Sequence, residues 1–507
     1  MYIRKKKNHS GSYSFHIVRK AGGKQILVKS IGSASDAASI KKKEIEAHLE
    51  LAKLLGQGTL DLDYDQDQKF VEQLSQHLQS IQIAGLELIL GKLFDQIGFN
   101  KIEEDLFRHL VLSRICYPGS KLKTVEYLLR HHQIFYDIDA VYRYLDKLHG
   151  RYKDQLQDIS YNHTLQIFNG DVSVVFYDVT TLYFEASEED ELRKIGFSKD
   201  GKAQNPQIVL GLLVSTGGYP LAFEMFEGNK FEGQTMLPVI EKFKAKYQIK
   251  NIVIVADAGL LSNENIQALK QLNYQFILGA RIKNETNQLQ RQILSQHWQN
   301  GQTRCLLKDD QTKLIVSFSQ SRANNDRQNR DKGLRRLEKS VESGKLNKQH
   351  INNRGYNKYL KLEGEITIKI DYQKYNADAK WDGLKGYLTN TALSNDEIIA
   401  NYRQLWQIEK AFRISKTDLK VRPIFHRLKH RIEAHLIIAF CSYKVFKELE
   451  RQLFIKEASI SATKAIEIMQ SIFRVKTTLP ISLKPFDLIL ANTAEQRLLL
   501  KIFDVDF

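Results

Sequence analysis

The sequence predicts an α/β protein: a mixed five-stranded sheet with an inserted β-containing domain, and helical regions on either side. Three observations predict it. Residues 171 to 283 run strand, strand, strand, helix, strand, helix, strand. Residues 284 to 395 break that rhythm with a charged helix and further strands. The flanking stretches carry apolar residues at helical spacing. With 507 residues the chain is too long for one core. Apolar residues at 42% and aromatics at 10% allow a substantial interior and exclude a disordered chain.

The elements follow in chain order. Region 1–60 opens with "SYSFHIVRKAGGKQILVKSIG", two alternating runs around Ala-Gly-Gly, which predicts a β-hairpin. A helix is expected over 36–56. Region 61–165 reads as helices and is predicted to bind DNA, with a plain helical bundle as the alternative. "EDLFRHLVLSRICY" ends at Pro118-Gly119, Ser120 is a plausible N-cap for "KLKTVEYLLRHH", and Asp137 or Asp139 can cap "AVYRYLDKLH".

Region 166–283 is the first part of the predicted α/β core. "VSVVFYDVTTLYF", "PQIVLGLLVST" and "YPLAFEMFEG" form an antiparallel meander, because Gly217-Gly218 makes a tight turn. "NIVIVADAGL" and "YQFILGARI" alternate with helices, which demands parallel crossovers. A mixed sheet in this order is the RNase H-like layout. Region 284–392 is the insertion domain. Region 393–450 returns the last helices of the core, and 451–507 is predicted as a helical C-terminal region.

Charge and cysteine content narrow the setting. Lys+Arg is 75 against 59 Asp+Glu, a formal +16 with pI near 9.3. That balance suits either a polyanionic partner or a solvated basic surface. Cys116, Cys305 and Cys441 are far apart and make no CxxC pair, so no zinc site or disulfide framework is signalled. A reducing cytosol is the expected setting. "MYIRKKKNHSGSYSF" has no apolar core of a signal peptide, and no apolar run reaches membrane-spanning length.

The chemistry centres on acids. Asp178 sits inside a strand that reads as buried, where a lone carboxylate is costly. Asp257 ends "NIVIVAD", the strand expected beside it and parallel to it. Two adjacent carboxylates repel, and a divalent cation such as Mg2+ with hard oxygen ligands resolves the conflict. In "NYRQLWQIEKAFRISKTDLK", Tyr402, Leu405, Trp406, Glu409, Arg413 and Lys416 share one helical stripe. Its aromatic end should be core, and its charged end should face a metal and a phosphate backbone. Glu185, Glu224 and Asp382 read as structural. His426, His430 and His435 suit surface or DNA contact better than zinc.

These motifs resemble the DDE transposases of bacterial insertion sequences. That family's signature helix reads Tyr, two residues, Arg, three residues, Glu, six residues, Lys. Tyr402, Glu409 and Lys416 match it, while Leu405 stands at the Arg position. "FYDVTTLYFE" and "VADAGLLSNENI" resemble the first and second acidic motifs, and "KWDGLKGYLTN" the strand before the last helix. The resemblance covers about residues 170 to 445. It implies that Asp178, Asp257 and Glu409 are the catalytic acids and hold two ions of Mg2+ or Mn2+. It implies double-stranded DNA as partner, both terminal inverted repeats and target, bound by a homodimer. Tyr402 and Lys416 would contact DNA; to these we add Arg413 and Arg281 as phosphate contacts. The expected location is the bacterial cytoplasm, at the nucleoid. Alternatives are another RNase H-like nuclease, such as a resolvase, or a non-catalytic transposase-derived DNA-binding protein. The 151 residues between Asp257 and Glu409 favour a transposase with an insertion domain.

Overall fold

The computed structural model describes residues 1–56, 63–198, 204–260, 262–344, 346–352, 355–363, 367–480 and 482–506. The chain divides into two compact units: residues 1–80 with 475–487, and residues 81–474 with 488–507. The predicted boundary at residues 60 and 61 lies outside the described residues.

In the first unit the predicted hairpin gains a strand. β1 (Tyr2–Lys7), β2 (Tyr13–Ala21) and β3 (Lys24–Ala34) form an antiparallel sheet in that order. Gly22 and Gly23 both take positive φ, 60° and 77°, which is what the two-residue turn joining β2 to β3 requires. Phe15, Ile17 and Val18 fill the buried side of β2. α1 (Ala37–Leu54) is capped by Asp36, whose Oδ1 accepts from the Ser39 N–H at 2.9 Å. α2 (Asp63–Gln76) follows, and then β4 (Leu78–Ile83), a strand within the region predicted as helical.

The second unit begins with helices. These are α3 (Lys92–Ile97), α4 (Asp105–Cys116), α5 (Lys121–His132) and α6 (Ile138–Ile167). The expected caps are present: Ser120 Oγ accepts from the Lys123 N–H at 3.3 Å, and Asp137 Oδ1 from the Asp139 N–H at 3.4 Å. α6 runs 30 residues, far beyond the predicted "AVYRYLDKLH". Val141, Tyr144, Leu145, Leu148, Tyr152, Leu156 and Ile159 keep one buried stripe across Gly150, and that packing outweighs the glycine.

β5 (Val174–Tyr183), β6 (Gln207–Ser215), β7 (Pro220–Glu227), α7 (Met236–Tyr247), β8 (Val253–Ala256), α8 (Asn263–Gln271) and β9 (Gln275–Ala280) follow in the predicted succession. β5, β6 and β7 are antiparallel neighbours, whereas β8 pairs parallel with both β5 and β9. The sheet does not stop at five strands. After α9 (Asn287–Leu294) come β10 (Thr303–Asp309), β11 (Thr312–Phe318), α10 (Gln320–Glu342), the pair β12 (Leu360–Glu363) and β13 (Thr367–Ile370), α11 (Tyr372–Ala379) and β14 (Leu384–Thr389). β14 adds antiparallel to β9, and β11 and β10 follow, giving eight strands in the order β10-β11-β14-β9-β8-β5-β6-β7. Most of the predicted insertion domain therefore extends the main sheet. Leu314 and Val316 of β11 join Ile282, Ile293 and Leu384 in one cluster, burial they could not find alone. Only Leu337, Tyr359 and Leu360 form a small core of their own between α10 and the β12–β13 pair.

α12 (Asn395–Arg403), α13 (Trp406–Thr417) and α14 (Lys429–Ile455) return the chain to the core. α12 starts with a capping box of Ser394 and Glu397. α14 packs along α6 and is buried on nearly every face, as its apolar run predicts. The C-terminal region, predicted as helical, holds α15 (Ala462–Met469), β15 (Phe473–Thr478), β16 (Pro485–Leu490) and α16 (Ala494–Ile502). The two strands pair with each other in a sheet, order β16-β15-β4, so the helical reading fails there. A strand whose partner lies hundreds of residues away has no local signal to announce it.

Candidate active site

Strand register brings the first two acids level. β5 and β8 pair as Val174 with Val253, Val175 with Ile254 and Phe176 with Val255. Continued two residues further, that register sets Asp178, inside β5, beside Asp257, one residue past the end of β8. The pleat fixes their face. Phe176 and Val255 belong to the core cluster that includes Tyr402, Ile408 and Phe412, while Tyr177 and Ala256 point to the opposite layer with α7 and α8. Asp178 and Asp257 share parity with the first pair, so they face the side that α12 and α13 cover. Asp178 is half-buried, and its Oδ1 accepts from the Val179 N–H at 2.8 Å. Asp257, one residue past β8, is exposed, and its Oδ1 accepts from the Tyr402 hydroxyl at 3.0 Å.

The predicted stripe is cut in two. α12 ends at Arg403 and α13 starts at Trp406; between them Leu405 N–H bonds Tyr402 O at 3.1 Å, the tighter three-residue spacing. Tyr402 and Leu405 are core, as expected. Trp406 is not: it is 51% exposed, with Lys410 Nζ 5.8 Å from its ring centre. The turn between the helices rotates the indole away from the sheet. Glu409 is exposed on α13, in the first turn and so at the favourable end of its dipole.

Asp257 and Glu409 share an electrostatic neighbourhood through two residues. Burial first, then Asp257 and Tyr387, raise the Tyr402 hydroxyl well above its usual range, with Glu409 adding to the shift. Tyr402 thus stays protonated and donates. Lys385, in β14, lies 4.5 Å above the Tyr402 ring and 5.6 Å from that of Tyr387. Burial, then Arg322, lowers the Lys385 ammonium, against the opposing pull of Asp257 and Glu409. Gly279 makes room for this arrangement. A Cβ there would meet the Tyr402 hydroxyl at 2.3 Å and the Ala258 nitrogen at 3.1 Å. Sequence reasoning missed both Lys385 and Gly279. A glycine inside an otherwise branched, apolar strand was the one available signal.

The remaining expectations scatter. Tyr402, expected at a DNA end, is 5% exposed with its hydroxyl on Asp257. Arg413 is exposed on α13 and Lys416 half-buried in its last turn. Arg281 is exposed immediately after β9, opposite Lys385 if the β14 register of Gly386 with Ala280 continues. Asp382 pairs with Arg330, and Glu224 with Lys153 at 3.2 Å, which suits their structural reading. The histidines are corrected. His426 and His435 are buried, not on the surface, with His435 Nε2 2.8 Å from Arg114 Nη2 and 2.9 Å from Val421 O. His430 alone is partly exposed, 2.9 Å from Asp146. The predicted exposure failed because His435 falls in the buried part of α14 against Arg114, and His426, before the helix, packs its ring against Tyr142 and His435.

Among the described residues no three His, Cys, Asp or Glu side chains gather about one point to hold a metal ion. Three acids converging was the sequence expectation; here Asp257 and Glu409 both act on Tyr402 and Lys385, and Asp178 lies on the strand paired with β8. Like charges repel without a counter-ion, and here Tyr402 and Lys385 take the space beside Asp257. The donors still fit a hard cation, because Mg2+ is usually held by one or two carboxylates with water and substrate phosphate.

A family model described as a transposase DDE domain matches residues 170–444, more than half of the chain. The class is therefore that of polynucleotidyl transferases, enzymes that cut and rejoin DNA strands. Within that class the chain belongs to the DDE transposase family, and it is a DNA transposase. Comparison with curated proteins finds no match. Among solved structures, the chain is similar to piggyBac transposase in a synaptic complex with hairpin DNA. There identity is 9%, coverage is 79% of both chains and the TM-score is 0.36. It is also similar to Mos1 transposase in a paired-end complex with the left transposon end, at 11% identity, 31% and 53% coverage and TM-score 0.16. A Mos1 mariner paired-end complex with Mn gives 13% identity, 47% and 74% coverage and TM-score 0.15. No helix among the described residues is long and apolar enough to cross a membrane.

Proposed function

We propose that Asp178, Asp257 and Glu409 are the catalytic acids and that they bind two divalent cations, Mg2+ or Mn2+. The observation that supports this is the parallel register of β5 and β8: continued two residues past Phe176 and Val255 it sets Asp178 beside Asp257, and Tyr402 and Lys385 link Asp257 to the field of Glu409. The order β7-β6-β5-β8-β9 within the sheet supports an RNase H-like core. Bound cations supply an activated attacking oxygen and a stabilised leaving oxygen. The chain's own residues orient and neutralise. The Tyr402 hydroxyl holds one oxygen of Asp257, leaving the other to face substrate. Lys385 offsets carboxylate charge, and Arg281, Arg413 and Lys416 contact DNA phosphates.

The substrate is double-stranded DNA carrying the terminal inverted repeats of an insertion sequence, with a second duplex as target. α10 supplies backbone contacts in this reading: Lys332, Arg335, Arg336 and Lys339 recur at the spacing of one helical face. The helical region before the sheet adds further DNA contact. A homodimer pairs two element ends, acting at the bacterial nucleoid. The test is Mg2+-dependent nicking of linear DNA that carries the element's own ends, with scrambled ends as control. Equal nicking of both substrates would remove the insertion-sequence assignment; no nicking by a folded protein with Mg2+ or Mn2+ would remove the site.

A further inference from the structure

A second cationic site lies at the start of α5. A cavity of about 850 Å3 opens there, of a size that holds a drug-sized or nucleotide-sized ligand. Lys121, Lys123, Lys420, Arg422 and His426 line it, and no carboxylate does. Asp146, the acid that acts on His426, is held bidentate by Arg431 at 2.6 and 2.8 Å.

Lys121 is the anomaly. It is 5% exposed, lines the cavity, and makes no hydrogen bond or ion pair with any described residue. Arg114 behind it gives it no relief: that guanidinium donates to Gly119 O at 2.7 Å and meets His435, and it is a second positive charge. A buried lysine with no counter-charge is costly to keep. Burial, then Arg114, lowers its ammonium well below the usual range, a shift that an anion in the cavity would reverse. The α5 N-terminus adds to the pull. Ser120 caps one amide, and Ser120 and the first-turn residues Lys121, Leu122 and Lys123 all line the cavity.

The far wall is aromatic. Phe425 is 67% exposed at the cavity, and Tyr117, 45% exposed, stacks on Tyr127 with ring centres 4.8 Å apart. The basic wall continues the chain that carries Glu409. Past Arg413 and Lys416 on α13, Lys420 and Arg422 follow within six residues of Lys416.

We infer that this cavity takes one nucleotide of a DNA strand leaving the catalytic sheet, its phosphate at Lys121 and the α5 N-terminus and its base against Phe425. The inference rests on the transposase reading and adds a strand-holding site to it. Base–aromatic stacking is strong enough to make Phe425 measurable by itself.

The test uses the full chain and two variants, Lys121→Met and Phe425→Ala. Melting in sodium phosphate and in sodium chloride of equal ionic strength reads the anion. Anisotropy with a labelled duplex bearing a single-stranded extension, beside the blunt duplex, reads the strand. Phosphate should raise the Tm of the natural chain and not that of Lys121→Met. Each variant should weaken binding of the extended duplex by about tenfold and leave the blunt duplex unchanged. A Lys121→Met protein that melts lower, while Phe425→Ala binds the extension normally, would make the lysine structural and overturn the site. A phosphate response without any change in DNA affinity would assign the site to free phosphate and overturn the strand. An Asp178→Asn protein separates the two readings. Loss of nicking with retained preference for the extension supports both, while unchanged nicking refutes the catalytic acids and leaves this site standing.

Discussion

Charged residues in the second unit live in two unlike settings. Along α14 they are buried and saturated. Glu448, 1% exposed, meets Arg451 at 2.7 and 2.9 Å and Gln452 at 2.7 Å. Lys444, fully buried, donates to Ser160 O at 3.0 Å and Thr164 Oγ1 at 2.5 Å, and burial brings its ammonium down to about 7. In the middle of β5 Asp178 is half-buried, and just past the end of β8 Asp257 is exposed. Asp257 accepts one hydrogen bond, from Tyr402, and Glu409 is exposed. Saturated charges hold helices together. Exposed acids such as Asp257 and Glu409 are open to a cation and a phosphate. The difference separates residues whose loss unfolds the protein from residues whose loss silences it.

The largest expected effect is functional. Asp178→Asn, Asp257→Asn and Glu409→Gln should each abolish DNA nicking, with Tm and end binding close to the natural chain. A large fall in Tm for any of them would move that acid into the structural group. Glu448→Ala should do the opposite. It takes the acceptor from Arg451 and Gln452 and removes the negative charge that acts on buried Lys444, and should lower stability by about 3–5 kcal/mol, read by denaturant melts. A smaller loss would mean that the α14 network is not the brace described here.

Acid should act on the helical body before the sheet. His163 and His426 are both brought from 6.5 to about 4, chiefly by burial. Their folded-state values are depressed, so the unfolded chain binds protons first. The stability they contribute is complete above pH 6.5 and is lost as pH falls toward 4, by about 3 kcal/mol for each residue. Melts between pH 7 and 5 should show this decline, and His163→Asn should flatten it.

Gly279→Ala tests how Tyr402 is held. The added methyl collides with the hydroxyl, so stability should fall by about 1–3 kcal/mol and nicking should drop with it. Combining it with Tyr402→Phe should recover stability but not activity. The smallest effect is Tyr402→Phe alone. Losing one hydrogen bond to a carboxylate should slow nicking by about tenfold, with folding little changed. An unchanged rate would show that Asp257 needs no orientation from Tyr402.

The sequence by itself determined the strand–helix succession from β5 to β9 and the place of Asp178 and Asp257 on it. Period-two runs, Gly-Gly turns and helices between parallel strands are local signals, and each stands within one window of the chain. It also marked Ser120 as a cap and narrowed the next to Asp137 or Asp139, of which Asp137 is the cap, since capping is settled within three residues. Tertiary structure alone decided that β10, β11 and β14 widen the sheet, that α12 and α13 part before Trp406, and that His426 and His435 lie inside. It alone brought Lys385 and Gly279 to the acids. A strand's own pattern says which face is apolar but not which strand will lie beside it, and a lysine's neighbours across a sheet are set by that choice of partner.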